Sequence, residues 1–236
     1  MTTPDVVAAL AAQAAIVGGP TETLTHEQVR AFILDQLAAA DLDGKSVCLV
    51  IPDGTRSSPL PELMAVVHEA LHGRVTKLTA LIALGTHVEM SDAAIAKHLG
   101  YRDGGLEATY PGMTVLNHLW RDPDTFVTLG TISSERVQEL SGGLLAVPAK
   151  VALNRAVVEH DVALVLGPVF PHEVVGISGG NKYFFPGIAG QEIIDLTHWV
   201  GALITSAQII GTLGITPVRA LINEAAAMIP SEKLAI

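Results

Sequence analysis

Short runs of apolar, β-branched residues alternate with helix-forming segments along much of this chain. The runs at 46–51, 75–84 and 162–166 have the length and composition of buried strands, and the segments at 60–71 and 91–99 are typical of helices. Strands that are apolar throughout are usual in parallel sheets, because helices then cover both faces of the sheet. The alternation therefore predicts an α/β fold with a mostly parallel, Rossmann-like sheet and helices on both faces.

Several other elements are predicted from less regular patterns. Thr25 and Gln28 match a capping box, which predicts a helix from there to about residue 40. Residues 6–18 predict an Ala-rich helix instead of a signal peptide, because no basic segment precedes them. Residues 148–159 fit either a strand or a helix. Further strands are predicted at 113–116 and 126–129 and from 232 onward, and further helices at 191–208 and 217–228.

The composition limits the functions open to the chain. Its 236 residues are 49% hydrophobic, enough for a large core, and they carry a net charge of −10. A chain this acidic is a poor candidate for binding nucleic acid. Its one cysteine, Cys48, excludes a disulfide framework and a cysteine-cluster metal site. The most apolar N-terminal stretch is too short to span a bilayer. We therefore expect a cytoplasmic protein without membrane or nucleic-acid partners.

Polar residues directly follow three of the predicted strands. Asp53 and Arg56 follow the first of these strands, His87 follows the second and His172 the third. Ligands of open parallel sheets bind at the carboxyl ends of the strands, so we expect these residues to converge at one edge. Simpler roles stay open for each of them: an Asp53–Arg56 ion pair, a helix cap by Asp53, and ordinary loop or surface positions for the two histidines.

The segment 167–190 holds six glycines and three prolines, and we predict it to be a long loop of the kind that is usually functional. Its SGGNK stretch at 178–182 joins two glycines to a lysine. Glycine N–H groups approach an anion closely, and a lysine supplies a charge or a nucleophilic amine. The spacing matches neither a P-loop nor a dinucleotide-binding fingerprint. A purely structural role and a Schiff-base role are the alternatives for Lys182.

The chain has nine histidines, many for a sequence with only 16% charged residues. His198 lies in a predicted helix beside Trp199, where it fits either a core residue or a single imidazole ligand to a metal. His68 and His72 share one face of a predicted helix, but no third ligand accompanies them. We therefore do not expect a metal site at that pair.

Five segments taken together resemble the lactate racemase family, enzymes that use a nickel-pincer nucleotide. They occur in order over most of residues 46–200, and the agreement of five motifs is far more specific than any one of them. The segments are IPDGTRSSP (51–59), ALGTHVEMSDAAIAKHLG (83–100), NHLWRDPDTFVTLGT (117–131), LNRAVVEHDVALVLGPVFPHEVVGISGGNKYFFPGIAG (153–190) and THW (197–199).

The resemblance implies a 2-hydroxyacid racemase or epimerase that works by proton-coupled hydride transfer to this cofactor, through a 2-keto acid intermediate. It implies that Lys182 carries the cofactor covalently, as a pyridinium-3,5-bisthiocarboxylic acid mononucleotide that holds nickel. His198 matches the protein ligand to the metal. His87 and His172 match the two acid–base histidines on opposite faces of the substrate. Arg56 matches the arginine that binds the substrate carboxylate, and Asp53 accompanies it in the same loop.

Elementary chemistry agrees with these implied roles. A C–H bond next to a hydroxyl and a carboxylate is a weak acid, so moving its hydrogen as hydride avoids a carbanion. Imidazole transfers protons in both directions near neutral pH, arginine binds a carboxylate through two parallel hydrogen bonds, and square-planar geometry suits nickel. From the residues themselves we further expect Ser178, Gly179 and Gly180 to bind the cofactor, with the glycine amides on its phosphate.

Members of this family carry a second, C-terminal domain that closes the active site, and the sequence contains no counterpart of it. We therefore expect residues 1–236 to be the catalytic and cofactor-binding N-terminal domain of a two-domain enzyme, cut short after that domain. The expected partners are a small 2-hydroxyacid and the cofactor-biosynthesis proteins. The alternative function is a non-catalytic module that binds or carries the cofactor. Asn181 and Val88-Glu89 replace more basic residues, so the choice of hydroxyacid stays open.

Overall fold

A computed structural model describes residues 14–236, and its elements follow the alternating order that the sequence predicts. The strands are β1 (Ser46–Pro52), β2 (Lys77–Ala83), β3 (Met113–Asn117), β4 (Phe126–Ile132), β5 (Ala149–Asn154), β6 (Val162–Val165), β7 (Pro171–His172), β8 (Gly176–Ile177) and β9 (Glu232–Ala235). The helices are α1 (His26–Ala39), α2 (Leu60–Leu71), α3 (Asp92–Leu99), α4 (Gly105–Thr109), α5 (Ser134–Leu140), α6 (Arg155–Val158), α7 (Gln191–Ile204), α8 (Ser206–Ile209) and α9 (Pro217–Ala226). Within the described part of the chain, none of these helices combines the length and apolarity needed to cross a membrane.

Five of the strands form one parallel sheet in the order β3-β2-β1-β6-β9. Side chains along the central strand β1 alternate between two buried clusters. Val47, Leu49 and Ile51 pack on one face with helices α1, α2 and α3, whereas Cys48 and Val50 pack on the other with α7 and α9. The prediction of an α/β fold with a parallel sheet and helices on both faces is confirmed.

The segment that fits both a strand and a helix contains one of each. Residues 149–154 form β5, which pairs with β4 in an antiparallel hairpin, and α6 follows at once. Asn154 makes the change possible, because its Oδ1 accepts a hydrogen bond from the backbone N of Ala156 at 2.9 Å and so caps the new helix. A local pattern could not separate the two elements, since no turn residues lie between them.

Most predicted element bounds agree with the structure to within a few residues. The Thr25 capping box is confirmed, with Thr25 and Gln28 each accepting a hydrogen bond from the backbone N of the other. The helix predicted over 191–208 is interrupted at Thr205, whose φ of 83° ends a right-handed helix. Of the helix predicted over 6–18, residues 6–13 lie outside the described residues, and 14–18 are not helical.

The long segment 167–190 is anchored to the core. Phe184 and Phe185 are fully buried within it. Gly187 passes so close to the backbone of Tyr183 that a Cβ at this position would overlap the Tyr183 carbonyl oxygen. The backbone N of Gly190 donates to the carbonyl of Ala152 at 2.9 Å, which ties the end of the segment to β5. The polar residues of this loop are therefore presented from a packed base.

His118, directly after β3, is a built-in source of pH dependence. The residue is fully buried, and its Nδ1 accepts a hydrogen bond from the side-chain amide of Asn154 at 3.0 Å. Burial lowers the pKa of His118 to about 4, whereas histidine in an unfolded chain has a pKa near ~6.5. Between these two values the unfolded chain binds a proton that the folded protein does not. His118 therefore does not reduce the free energy of unfolding above about pH 6.5, and it reduces this free energy progressively as the pH falls towards 4.

Over that pH interval His118 is expected to lower the free energy of unfolding by about 3 kcal/mol. His118→Gln keeps an acceptor for Asn154 but cannot titrate, so its unfolding free energy should decline less by a similar amount. Urea unfolding of both proteins at about pH 8, 6 and 4 measures the difference, and the comparison at pH 8 isolates the direct effect of the substitution. The same decline in both proteins would contradict the prediction.

Candidate active site

The three polar clusters meet at the carboxyl edge of the sheet, because β1, β2 and β6 are neighbours in it. Together with residues of the 167–190 segment and α7, they line a cavity of about 410 Å³. Gly180 is the one predicted site residue that does not line the cavity, although the adjacent Gly179 does. The predicted residues that line it are Asp53, Arg56, His87, His172, Ser178, Gly179, Lys182 and His198.

Asp53, directly after β1, pairs with His87; the Asp53 side chain is buried, whereas that of His87 is half exposed. One carboxylate oxygen accepts hydrogen bonds from the backbone N and the hydroxyl of Thr55, at 3.1 and 2.5 Å, and the other accepts one from Nδ1 of His87 at 2.5 Å. Burial alone would raise the pKa of the Asp53 carboxyl, but the hydrogen bonds from Thr55 and His87 outweigh burial and hold the pKa below its usual value. The ionised Asp53 therefore fixes the ring proton of His87 on Nδ1 and leaves Nε2 as a proton acceptor.

This pairing removes both simpler roles for Asp53. Its partner is His87 and not Arg56, and helix α2 begins after Pro59 without a side-chain cap. Arg56 is exposed, and its guanidinium makes a single 3.4 Å hydrogen bond to the Thr55 hydroxyl within residues 14–236. No carboxylate in that range forms an ion pair with it. The guanidinium is therefore free to bind an anion that enters the cavity.

His172 enters the cavity from a different loop, on the short β7–β8 ladder. Its side chain is 15% exposed, and its Nδ1 accepts a hydrogen bond from the backbone N of Val174 at 3.1 Å. Burial, followed by the charge of Lys182, lowers the pKa of His172 to about 4, although the Glu173 carboxylate lies 3.5 Å away. The ring is therefore neutral at neutral pH with its proton on Nε2. His87 and His172 thus hold opposite tautomers, one an acceptor and one a donor at Nε2.

Lys182 lies in the 3₁₀ turn Gly180–Tyr183. Burial is the main factor that lowers the pKa of the Lys182 amine to about 8, and Arg56 and Arg219 lower it further against the opposing charge of Glu173. At neutral pH about a tenth of such amines are uncharged. The site therefore holds a lysine that is a better nucleophile than an exposed one.

His198 lies on α7 and lines the same cavity. Its Nδ1 donates to the backbone carbonyl of Ile194 at 2.7 Å, which leaves Nε2 as the free nitrogen. A hydrogen bond from the second ring nitrogen to a carbonyl is the usual support of a metal-binding histidine. In the part of the chain that the structure describes, no group of three or more His, Cys, Asp or Glu side chains could hold a metal ion. A metal at His198 would therefore need donors other than a cluster of these described side chains.

Comparison with known proteins shows the family to which the chain belongs. The sequence profile of the lactate racemase N-terminal domain matches residues 24–211, which is most of the chain. The chain belongs to the lactate racemase N-terminal domain family. Every site residue predicted from the sequence lies within the matched range.

Two solved structures resemble this lactate racemase-type domain. A crystal structure of a protein from Thermotoga maritima matches with a TM-score of 0.80 at 27% identity. The matched region covers 94% of this chain and 52% of the Thermotoga maritima chain. The lactate racemase apoprotein from Thermoanaerobacterium thermosaccharolyticum matches with a TM-score of 0.56 at 20% identity. The matched region covers 100% of this chain and 49% of the apoprotein chain, and this match supports the fold. The chain thus spans about half the length of each. No protein of curated function matches the sequence.

Two side chains of this lactate racemase-type domain hold the His87 loop, and neither of them is assigned a role from the sequence. The side-chain amide of Asn117 accepts from the backbone N of Met90 at 3.1 Å and donates to its carbonyl at 2.9 Å. Nε1 of Trp120 donates to the carbonyl of His87 at 3.0 Å. Both residues lie in the NHLW segment that carries part of the family resemblance, which was the available signal. Their partners became visible only once β2 and β3 were paired.

Proposed function

We propose that residues 1–236 are the catalytic and cofactor-binding N-terminal domain of a 2-hydroxyacid racemase or epimerase that uses a nickel-pincer nucleotide. Membership in the family supports a racemase-related function for the domain. The observation that carries the finer proposal is the meeting of two histidines from different strands, a free arginine and a low-pKa lysine in one cavity. A cytoplasmic location and cofactor-biosynthesis proteins as partners are part of the same proposal.

The residues present fit the cofactor. The Lys182 amine, with a pKa of about 8, is suited to covalent attachment. His198 offers Nε2 to a metal while Ile194 supports its Nδ1, and the remaining metal donors would belong to the cofactor. Ser178 and Gly179 line the cavity next to Lys182 and would hold the rest of the group, with Gly180 beside them.

When bound, the nickel-pincer nucleotide would supply a carbon that takes up hydride from the substrate and returns it. The guanidinium of Arg56 would bind the substrate carboxylate and hold the neighbouring carbon in place. Nε2 of His87 would accept the hydroxyl proton, and Asp53 would stabilise the imidazolium that results. Removal of the two hydrogens leaves a planar 2-keto acid.

His172 would serve the opposite face of that planar intermediate. Its Nε2–H would donate a hydrogen bond to the oxygen of the substrate. For His172 to carry two protons, Nδ1–H needs an acceptor, and the Glu173 carboxylate at 3.5 Å is placed to provide it. Attachment of a group to Lys182 would remove a positive charge that lowers the pKa of His172, and this would make protonation of the ring easier.

The test is racemisation by the protein expressed from its complete coding sequence, with and without the cofactor-building enzymes. The D and L forms of lactate, malate, an aryl 2-hydroxyacid and a sugar acid are supplied, and chiral chromatography follows each. We expect at least one acid to be racemised or epimerised by the loaded protein and none by the unloaded protein. Loaded protein that turns over none of them would reject the enzyme and favour the cofactor-carrier alternative.

A further inference from the structure

Helix α9 presents one polar face to the loop that precedes Lys182. Thr216, Arg219 and Asn223 are spaced by three and four residues, which places them on one side of the helix. The Thr216 hydroxyl donates to the carbonyl of Val175 at 3.1 Å, and the Asn223 amide oxygen accepts from the side chain of Asn181 at 3.0 Å. The two ends of the 175–181 loop are therefore tied to α9.

Arg219 occupies the middle of this face and binds three successive carbonyl groups. Its Nη1 donates to the carbonyl of Gly179 at 3.1 Å, and its Nη2 donates to those of Ser178, at 3.3 Å, and Ile177. A planar guanidinium is the side chain that can satisfy several acceptors at fixed angles. Three carbonyl groups are thus held towards Arg219, immediately before the 3₁₀ turn of Lys182, and that of Gly179 also accepts from the backbone N of Lys182 at 3.2 Å.

The charge of Arg219 also acts on the lysine. The charged groups that affect the Lys182 amine are Arg56, Glu173 and Arg219, in addition to its burial. Arg56 and Arg219 both disfavour the ammonium form, whereas Glu173 favours it. Arg219 is itself partly buried, and burial lowers its own pKa, yet donation to three carbonyl groups favours its charged form.

We propose that Arg219 is a positioning residue of this site: it fixes the 177–179 backbone and holds the Lys182 amine ready for attachment. The residue lies beyond position 211, where the family match ends, so the match does not include it. The consequence for cofactor attachment rests on the proposed function. The effects on the loop and on the free amine do not, because both belong to the protein alone.

The test compares Arg219→Met and Arg219→Lys with Arg136→Met as the matched control. Arg136 also contacts α9, through Glu224 at 2.9 Å, but it touches no residue of the loop. Amide hydrogen exchange of peptides that span 175–183 reports on the backbone. Labelling of Lys182 by trinitrobenzenesulfonate across a pH series, quantified by peptide mass spectrometry, reports on the amine. Neither readout needs the cofactor.

In Arg219→Met we expect loop exchange to be at least about tenfold faster, because hydrogen bonds to a charged group are lost. The midpoint of Lys182 labelling should rise, because a like charge is removed, although Arg219 is the smallest of the influences on this amine. Arg219→Lys should speed up the exchange while its labelling midpoint stays near that of the unchanged protein. Arg136→Met should change neither readout.

Folded Arg219→Met protein with unchanged exchange and an unchanged labelling midpoint would overturn the proposal. If Arg219→Met does not fold, Arg219→Lys and Asn223→Ala decide it, and normal loop exchange in both would overturn it equally. An unmodified Lys182 in protein made with the cofactor-building enzymes would instead reject the cofactor. The exchange and labelling results would still stand in that case.

Discussion

Protein produced together with the cofactor-building enzymes is expected to carry extra mass on Lys182, and Lys182→Arg protein is expected to carry none. The amine with its pKa of about 8 can react in its uncharged form, whereas a guanidinium stays protonated and cannot. Intact-mass spectrometry followed by peptide mapping measures the adduct. Since attachment is a covalent step, the expected loss is complete.

Lys150→Arg is the control for this experiment, because Lys150 is a surface residue paired with Glu192 and lies outside the cavity. It should keep the full adduct. An adduct that persists in Lys182→Arg protein, or its absence from unchanged protein, would refute the attachment. Borohydride treatment with a keto acid separates the remaining alternative, because an adduct trapped only under those conditions would indicate a Schiff-base lysine.

His87→Asn and His172→Asn are each expected to lower the rate of racemisation by about 10²- to 10⁴-fold, the usual effect of losing a general acid–base group. Each variant should also lose mainly one of the two directions in which the enantiomers are interconverted. With His172 replaced, His87 and its Asp53 partner still serve one face, so one enantiomer should still yield 2-keto acid in a single turnover. The other enantiomer should yield none. In His87→Asn, His172 would be the base for that other enantiomer once its ring proton lies on Nδ1, beside Glu173, so the preference should be reversed.

The measurement is the amount of 2-keto acid formed from each enantiomer by loaded protein, alongside steady-state racemisation. His26→Asn is the control, because His26 begins α1 and lies outside the cavity. Full racemisation by either variant would remove that histidine from the mechanism. The same enantiomer preference in both variants would contradict the assignment of one histidine to each face.

Much of the architecture could be predicted because its determinants are local. A short apolar, β-branched run such as 46–51 has the length and composition of a buried strand, and the Thr25 capping box starts a helix through residues three apart. Once the strands were predicted to be parallel, the polar residues after them had to share an edge. The sequence alone therefore predicts that Asp53, His87 and His172 lie together, and the structure places all three on one cavity.

The pairing within the site could not be obtained in this way. Asp53 was considered as a partner of Arg56, three residues away, whereas its carboxylate accepts from His87, 34 residues away. Asn117 and Trp120 hold a loop 27 and 33 residues away, and Arg219 binds carbonyls 40 to 42 residues away. None of these pairs has a spacing that a sequence pattern can detect.

The sequence by itself thus determined the parallel α/β fold, the family resemblance and the set of residues at the carboxyl edge. The tertiary structure decided the tautomers of His87 and His172, the lowered pKa of Lys182 and the support of its loop by α9. The physical reason is that periodicity and capping depend on neighbours along the chain. Hydrogen-bond partners, burial and the local field depend instead on which distant segments packing brings within a few ångströms.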